Sequence, residues 1–291
     1  MTDDYELIDA GDGRKYERFG NISLVRPCSQ ALWRPHDLAS WRQATASFDR
    51  EEGNHWHGRQ ALPASWTIRT AGIAFKLLGT DFGHLGIFPE QRAQWNWIRE
   101  TVRVAQSTRT VDAPRVSVLN LFAYSGGSTI AAAQGGAEVC HLDASKGMVQ
   151  WARENAALNS LADHPIRWIV DDAHKFMRRE ARRGRRYDAV IFDPPTFGRG
   201  ANGEMYKIER DLQETLALVR DVLSARPLFV LFSSHTPGLS CRVAENVVAQ
   251  AFGVSRVESG EMLLEPAPGR DAPPCPSGIY CRGIFWYNPY L

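Results

Sequence analysis

The stretch Val118-Leu119-Asn120-Leu121-Phe122-Ala123-Tyr124-Ser125-Gly126-Gly127 decides how this chain is read. It opens as an apolar run and breaks at Ser125-Gly126-Gly127; Ser128 to Gln134 then has helix-forming character. Strand, glycine turn, helix is the order of the first βα unit of a nucleotide-binding sheet. A glycine in that turn leaves the backbone open to a ligand that a Cβ would hold off. The next strand candidate, Ala137 to Leu142, ends in Asp143, 17 positions beyond Gly126. A carboxylate that binds ribose hydroxyls is expected at about 20 positions. The dinucleotide pattern GxGxxG is absent, because Phe122 and Tyr124 stand where glycines would.

Downstream, two more segments repeat the theme. Arg167-Trp-Ile-Val-Asp-Asp-Ala173 reads as a strand ending in Asp171, Asp172 and Ala173, and Tyr187 to Pro195 as a buried strand ending in Asp193-Pro194-Pro195. Lys146 to Leu158 is a helix, capped by Ser145, with Met148, Trp151, Ala152 and Asn155 forming a mostly core stripe. Thr196 to Tyr206 is a glycine-rich loop and Asp211 to Leu223 a helix. Leu228 to Ser234 is a buried strand, His235 to Gly238 a turn and Cys241 to Phe252 a helix. Glu265 to Ser277 is a proline-rich loop and Tyr280 to Tyr287 a closing strand.

Carboxylates at the ends of three successive strands after a glycine turn resemble the class I S-adenosylmethionine (SAM)-dependent methyltransferases. The resemblance covers roughly residues 86–291. It is nearest to the 23S ribosomal RNA base methyltransferases, through NLFAYSGG (120–127), ARENAALNSL (152–161), DDAHKF (171–176) and DPPTFG (193–198). It implies a Rossmann-like, seven-stranded, mostly parallel α/β sheet, SAM as cofactor and S-adenosylhomocysteine (SAH) as product. Cofactor-binding candidates are Asn120, Phe122, Ala123, Tyr124, Ser125, Gly126, Gly127, Asp143, Ala144, Ser145, Asp171, Asp172 and Ala173. Gly126 and Gly127 let the backbone approach the methionine half, Asp143 takes the ribose hydroxyls, and Asp172 with the Ala173 N–H takes the adenine. Asp193, which also borders the cofactor, Pro194 and Phe197 form the catalytic turn. The segment before the first strand helps close over the cofactor in this family, which points to Phe88, Glu90 and Gln91. Pro89 and Glu90 equally suit a plain helix start ahead of Ala93 to Val102.

Asp-Pro-Pro followed by an aromatic resembles the nitrogen methyltransferases, although Thr196 intervenes here before Phe197. Methylation at cytosine C5 needs a thiolate that adds to the base. In the related cytosine enzymes that Cys follows the strand ending here in Phe232-Ser233-Ser234-His235, and this chain has none there; Cys241 lies six residues beyond His235. Nitrogen in a base of ribosomal or other structured RNA is therefore favoured over cytosine C5. His235 reads equally as a base, a substrate contact or an inert turn residue. The alternatives are a methyltransferase for a small molecule or protein, or a SAM- or RNA-binding module without catalysis. The intact Asp-Pro-Pro turn argues against the last.

The totals set bounds on these readings. The chain has 291 residues, 44% hydrophobic and 10% aromatic, with net charge +1, so any RNA-attracting field must be local. Six arginines crowd 178–186, but this helix precedes the strand at Tyr187. Its end therefore falls at the sheet edge opposite the ligand edge, and cations there answer the helix dipole. Five scattered cysteines suggest a reduced compartment without structural zinc. No metal, no membrane segment and a cytoplasmic location are expected.

Residues 1–85 read as a small β-rich N-terminal domain that docks substrate, and 86–291 as the methyltransferase domain. Asn21–Val25 and Trp66–Leu78 alternate like strands, Gly11-Asp12-Gly13 and Ala71-Gly72 like turns. This domain carries Trp33, Trp41, Trp56 and Trp66, and its exposed aromatics would stack on bases. His55 and His57 are read as lying on opposite sides of a strand or in a polar loop, unable to share an ion.

Overall fold

The computed structural model describes residues 3–50, 53–110, 112–199 and 205–285. The chain forms two units, Met1–Ala93 with Met262–Ser277, and Gln94–Glu261 with Gly278–Leu291.

In the first unit, β1 (Tyr5–Gly11), β2 (Arg14–Phe19), β3 (Ile22–Pro27), β4 (Ala46–Asp49) and β5 (His55–His57) form a sheet in chain order. All neighbours are antiparallel except β3 and β4. The Trp66–Leu78 segment is a hairpin, β6 (Trp66–Thr70) and β7 (Ile73–Leu77), turning at Ala71-Gly72 with φ of 47° and 76°. Inside this unit Glu17 is fully buried. It is held by Arg26 at 2.7 Å and Lys15 at 3.2 Å, and it accepts the Tyr5 hydroxyl at 3.0 Å. The segment Met262–Ser277 joins β1: Ala267 N–H donates to the Leu7 carbonyl and Arg270 pairs with Glu6 at 2.9 Å.

One expectation for this unit, the placing of His55 and His57, is corrected, and three of its tryptophans are engaged inside the protein. Trp41 and Trp56 are buried, and the indole N–H groups of Trp33, Trp41 and Trp56 donate to the Ala10 carbonyl, Asp9 and the Thr80 carbonyl. His55 and His57 share one exposed face of β5, rings 4.8 Å apart, with Trp56 buried between them. A strand repeats every second residue, so positions i and i+2 lie together.

The second unit is built on a seven-stranded sheet in the order β10-β9-β8-β11-β14-β16-β15. The strands are β8 (Ser117–Leu121), β9 (Glu138–Asp143), β10 (Ile166–Val170), β11 (Ala189–Phe192), β14 (Phe229–Ser234), β15 (Arg256–Leu264) and β16 (Cys275–Ile284). Between β11 and β14 stands a short hairpin, β12 (Phe197–Arg199) with β13 (Met205–Lys207). The five strands from β10 to β14 in that order run parallel, and β16 runs antiparallel to β14. Every residue of β11 and β14 is buried, the pattern of strands covered on both faces. The covering helices are α1 (Arg92–Ser107), α2 (Gly127–Gln134), α3 (Lys146–Leu158), α4 (Ala173–Arg182), α5 (Ile208–Val222) and α6 (Cys241–Phe252). On α1, Trp95, Ile98, Val102 and Ala105 are buried at helical spacing.

Order reverses at β8, whose neighbours are β9 on one side and β11 on the other. Ligands of such sheets bind outside the carboxyl ends of the strands at this switch point. Three details depart from the sequence reading. The loop after Pro195 contains the hairpin just described. The edge strand β15 had no counterpart, because its half-exposed residues carry a weak apolar alternation. The last strand begins at Cys275, inside the expected proline-rich loop; Trp286 and Tyr287 lie outside the described residues.

Candidate cofactor and catalytic site

The backbone after β8 alternates into the left-handed region: φ is 54° at Phe122, 50° at Tyr124 and 91° at Gly126. Side chains rarely tolerate this conformation, and it persists only where the surroundings fix it. Here they do. Ala123 N–H donates to the Leu142 carbonyl at 3.0 Å, Tyr124 N–H to Asp143 Oδ2 at 2.9 Å and Gly126 N–H to the Ala123 carbonyl at 3.0 Å. From α3, Asn155 Nδ2 donates to the Ser125 carbonyl at 2.9 Å. Gly127 opens α2 with no room for a side chain, since a Cβ would stand 2.7 Å from the Trp95 ring. Beneath the turn, Asn120 and His141 meet at the Thr129 hydroxyl, each at 2.9 Å. Burial pushes the His141 pKa down to about 3.

Asp143 ends β9. Its two carboxylate oxygens each accept a backbone N–H, Oδ2 from Tyr124 and Oδ1 from Ser145 at 2.8 Å. Burial raises its pKa, and the two N–H donors pull the other way. Each oxygen keeps acceptor capacity for a further donor. Ser145 caps α3, as expected, accepting Met148 N–H. At the end of β10, Asp172 caps α4 by accepting Lys175 N–H at 2.9 Å, and Ala173 is buried behind it. The Asp171 carboxylate pairs with Arg179 and accepts the Asp172 N–H. It is thus spent on structure within the protein.

Asp193 follows β11, with its Oδ2 3.6 Å from His235 Nδ1. Thr196 and Thr236 hydroxyls lie 2.9 Å apart and tie the turn after β11 to the turn after β14. Pro194 is buried, whereas Phe197 on β12 is 58% exposed. Tyr206 on β13 packs on Phe122, ring centroids 5.5 Å apart, and on His174 at 5.8 Å. Thr215 on α5 joins both, lying 3.1 Å from the Tyr206 hydroxyl and 2.8 Å from His174 Nε2. Sequence reasoning missed Tyr206, His174 and Thr215 as a group. Their one trace was His174 within DDAHKF.

The strand ends thus gather the glycine turn, Asp143, Asp172 and Asp193 along one edge of the sheet. Phe88, Glu90 and Gln91 belong to the first unit, where Pro89–Gln91 form a 3₁₀ turn before α1. There Glu90 and Gln91 are buried, and Glu90 accepts the Ser277 hydroxyl at 3.2 Å. Three arginines of the 178–186 cluster are engaged with acids: Arg178 with Glu214, Arg179 with Asp171 and Arg183 with Glu180. Among the described residues no group of three or more His, Cys, Asp or Glu could hold a metal. None of the helices described is long and apolar enough to cross a membrane.

A half-buried carboxylate oriented by two backbone N–H groups suits a ribose diol, and a fixed left-handed glycine turn suits a ligand seated against backbone. With this sheet order they define the class of SAM-dependent methyltransferases. The profile of the S-adenosylmethionine-dependent methyltransferase family matches residues 46–226, and the chain belongs to that family. It is an enzyme whose cofactor is SAM. The crystal structure of a SAM-dependent methyltransferase from Agrobacterium tumefaciens is 36% identical, with TM-score 0.89, covering 98% of this chain and 91% of that one. A solved protein from Streptococcus mutans shares the fold at 18% identity and TM-score 0.73, covering 97% of this chain and 75% of that one. Ribosomal RNA large subunit methyltransferase I of Tolumonas auensis is 30% identical over 171 residues, 57% of this chain and 42% of that protein. Ribosomal RNA large subunit methyltransferase K/L of Marinobacter nauticus is 32% identical over 191 residues, 64% of this chain and 24% of that protein. The chain spans less than half the length of these two relatives.

Proposed function

We propose that this enzyme methylates a base in ribosomal RNA, at nitrogen rather than at cytosine C5, in the cytoplasm. The carrying observation is the turn at Asp193, which presents a carboxylate and a buried proline beside His235 and leads directly to the exposed Phe197 ring. When bound, SAM supplies an electrophilic methyl group. The carboxylate of Asp193 and the Pro194 carbonyl would accept N–H groups of the target amine and orient its lone pair. Phe197 offers a face on which a base can stack, a contact typical of proteins that hold unpaired bases. Asp143 would hold the ribose hydroxyls of the cofactor, Asp172 with Ala173 the adenine, and Asn120 with the 122–127 turn the methionine half.

The names of the curated relatives support an RNA substrate. Against C5 chemistry stands Cys241: burial and the nearby Glu261 raise its pKa, so it is poorly suited to attack as a thiolate. Mass mapping of modified nucleotides in ribosomal RNA from cells lacking the gene tests the reading. One methylated base should vanish and return with wild-type protein but not with Asp193→Ala. Loss of a 5-methylcytosine, or an unchanged RNA with methyl transfer to a protein or metabolite, overturns it.

A further inference from the structure

Within the first unit, Cys28 and Cys275 bring their sulfurs to 3.0 Å although 247 positions separate them. Cys28 follows β3 and is half-buried; Cys275 opens β16 and is fully buried. We propose that Cys28 and Cys275 are a peroxide-oxidisable dithiol, in which Cys28 is the reacting sulfur and Cys275 the resolving one.

The surroundings divide these roles. Cys28 has the access, and its pKa is lowered to about 7, first by the hydrogen bond with Cys275 and further by Lys15 and the Gln30 N–H. Burial and Glu17 oppose that shift. The Cys275 thiol is pushed up, by the same hydrogen bond and by burial. The thiolate is the nucleophile, so Cys28 reacts first. Its sulfur attacks one oxygen of hydrogen peroxide, the O–O bond breaks, and the departing hydroxide leaves as water after taking a proton. Cys28 is then a sulfenic acid. The Cys275 sulfur attacks the Cys28 sulfur, the S–O bond breaks, and the Cys275 proton goes to the leaving hydroxide. The sum is two thiols and one peroxide to one disulfide and two waters. No other described cysteine pair offers this approach: Cys140 and Cys281 are buried, with pKa values pushed up by burial to about 11 and about 12.

The bond would fasten the segment Met262–Ser277 to the N-terminal sheet. In the reduced protein the contacts there include the Leu7–Pro266 bridge, the Ala267–Leu7 hydrogen bond, the Arg270–Glu6 pair and the Ser277–Glu90 hydrogen bond. A covalent tie should slow local opening of this segment.

The experiment treats the full-length reduced protein with graded hydrogen peroxide, blocks remaining thiols and maps peptides without reduction. Expected is a Cys28–Cys275 linked peptide pair within one chain, reversed by dithiothreitol. It should form at peroxide doses that leave Cys140 and Cys281 alkylatable. Cys275→Ser should stop at a sulfenic acid on Cys28 that dimedone captures, and Cys28→Ser should leave Cys275 reduced. Amide exchange across residues 265–274 should slow several-fold in the oxidised protein. The proposal is overturned if Cys28 oxidises without linking to Cys275. It is also overturned if the links form between chains or fall on other cysteines, or if exchange across 265–274 is unchanged by a quantitative link.

Discussion

The carboxylate of Asp143 accepts the backbone N–H of Tyr124 at 2.9 Å, so the end of one strand fixes the left-handed turn that follows its neighbour. On the proposed reading of the site, Asp143 serves both the cofactor and the turn. Asp143→Ala should weaken SAM binding by about 1.5–3 kcal/mol, the scale of lost hydrogen bonds to a charged group. Calorimetry with SAM and SAH measures it; unchanged affinity would remove Asp143 from the site.

The same residue predicts a pH dependence. Burial raises the Asp143 pKa above 3.8, so the folded apo protein binds this proton more readily than the unfolded chain. Its ionisation thus costs stability as pH rises through the window between 3.8 and the raised value. Ribose binding needs both oxygens as acceptors, so SAM affinity should fall on acidification before an ordinary aspartate would titrate. In Asp143→Asn that step should be missing from a calorimetric pH series.

Asp193→Ala should leave SAM affinity nearly intact while lowering kcat by about 100-fold or more, the usual result of losing an orienting contact. Phe197→Ala should act on the RNA instead, weakening it by ~1–3 kcal/mol if a base stacks on the ring. Paired SAM titrations and radiolabelled methyl transfer to total RNA separate the two. Wild-type turnover in Asp193→Ala would make the Asp-Pro-Pro turn merely structural.

Cys241→Ser should retain methyl transfer. A covalent complex with 5-fluorocytosine RNA that forms in the wild type and disappears in this variant would show a thiolate mechanism.

His141 should make the fold acid-sensitive. Its pKa is lowered by burial to about 3, against 6.5 when unfolded, so between those values the unfolded chain binds more protons. Stability is intact above pH 6.5 and should fall as pH drops below it, by about 1.4 kcal/mol per pH unit from this residue. His174, also lowered by burial, adds to the slope in the same direction. Urea midpoints between pH 7 and 5 report it. His141→Gln should flatten the curve, and an equal slope in that variant would assign the effect elsewhere.

The sheet of the second unit was legible because its central strands are buried on both faces. Burial demands nearly unbroken apolar runs, and Val118–Leu121, Ala189–Phe192 and Phe229–Ser234 show them. Strand ends were legible too, since Asp143, Asp171 and Asp193 each interrupt an apolar run with a charge. The edge strand β15 and the β12–β13 hairpin were not, because short or half-exposed strands need little apolar patterning.

The sequence by itself determined the strand–turn–helix order, the carboxylates that end the strands and the missing cysteine after Ser234, all matters of local pattern. Tertiary structure alone decided that Phe122 and Tyr124 take the conformation of glycines, because the hydrogen bonds that hold them come from Leu142 and Asp143 on another strand. It alone set Asp171 against Arg179, gathered Tyr206, His174 and Thr215 behind Phe122, and placed Cys28 beside Cys275. The physical reason is the same in each case. Local pattern records what a residue needs from its chain neighbours, whereas a partner 247 positions away leaves no periodic trace.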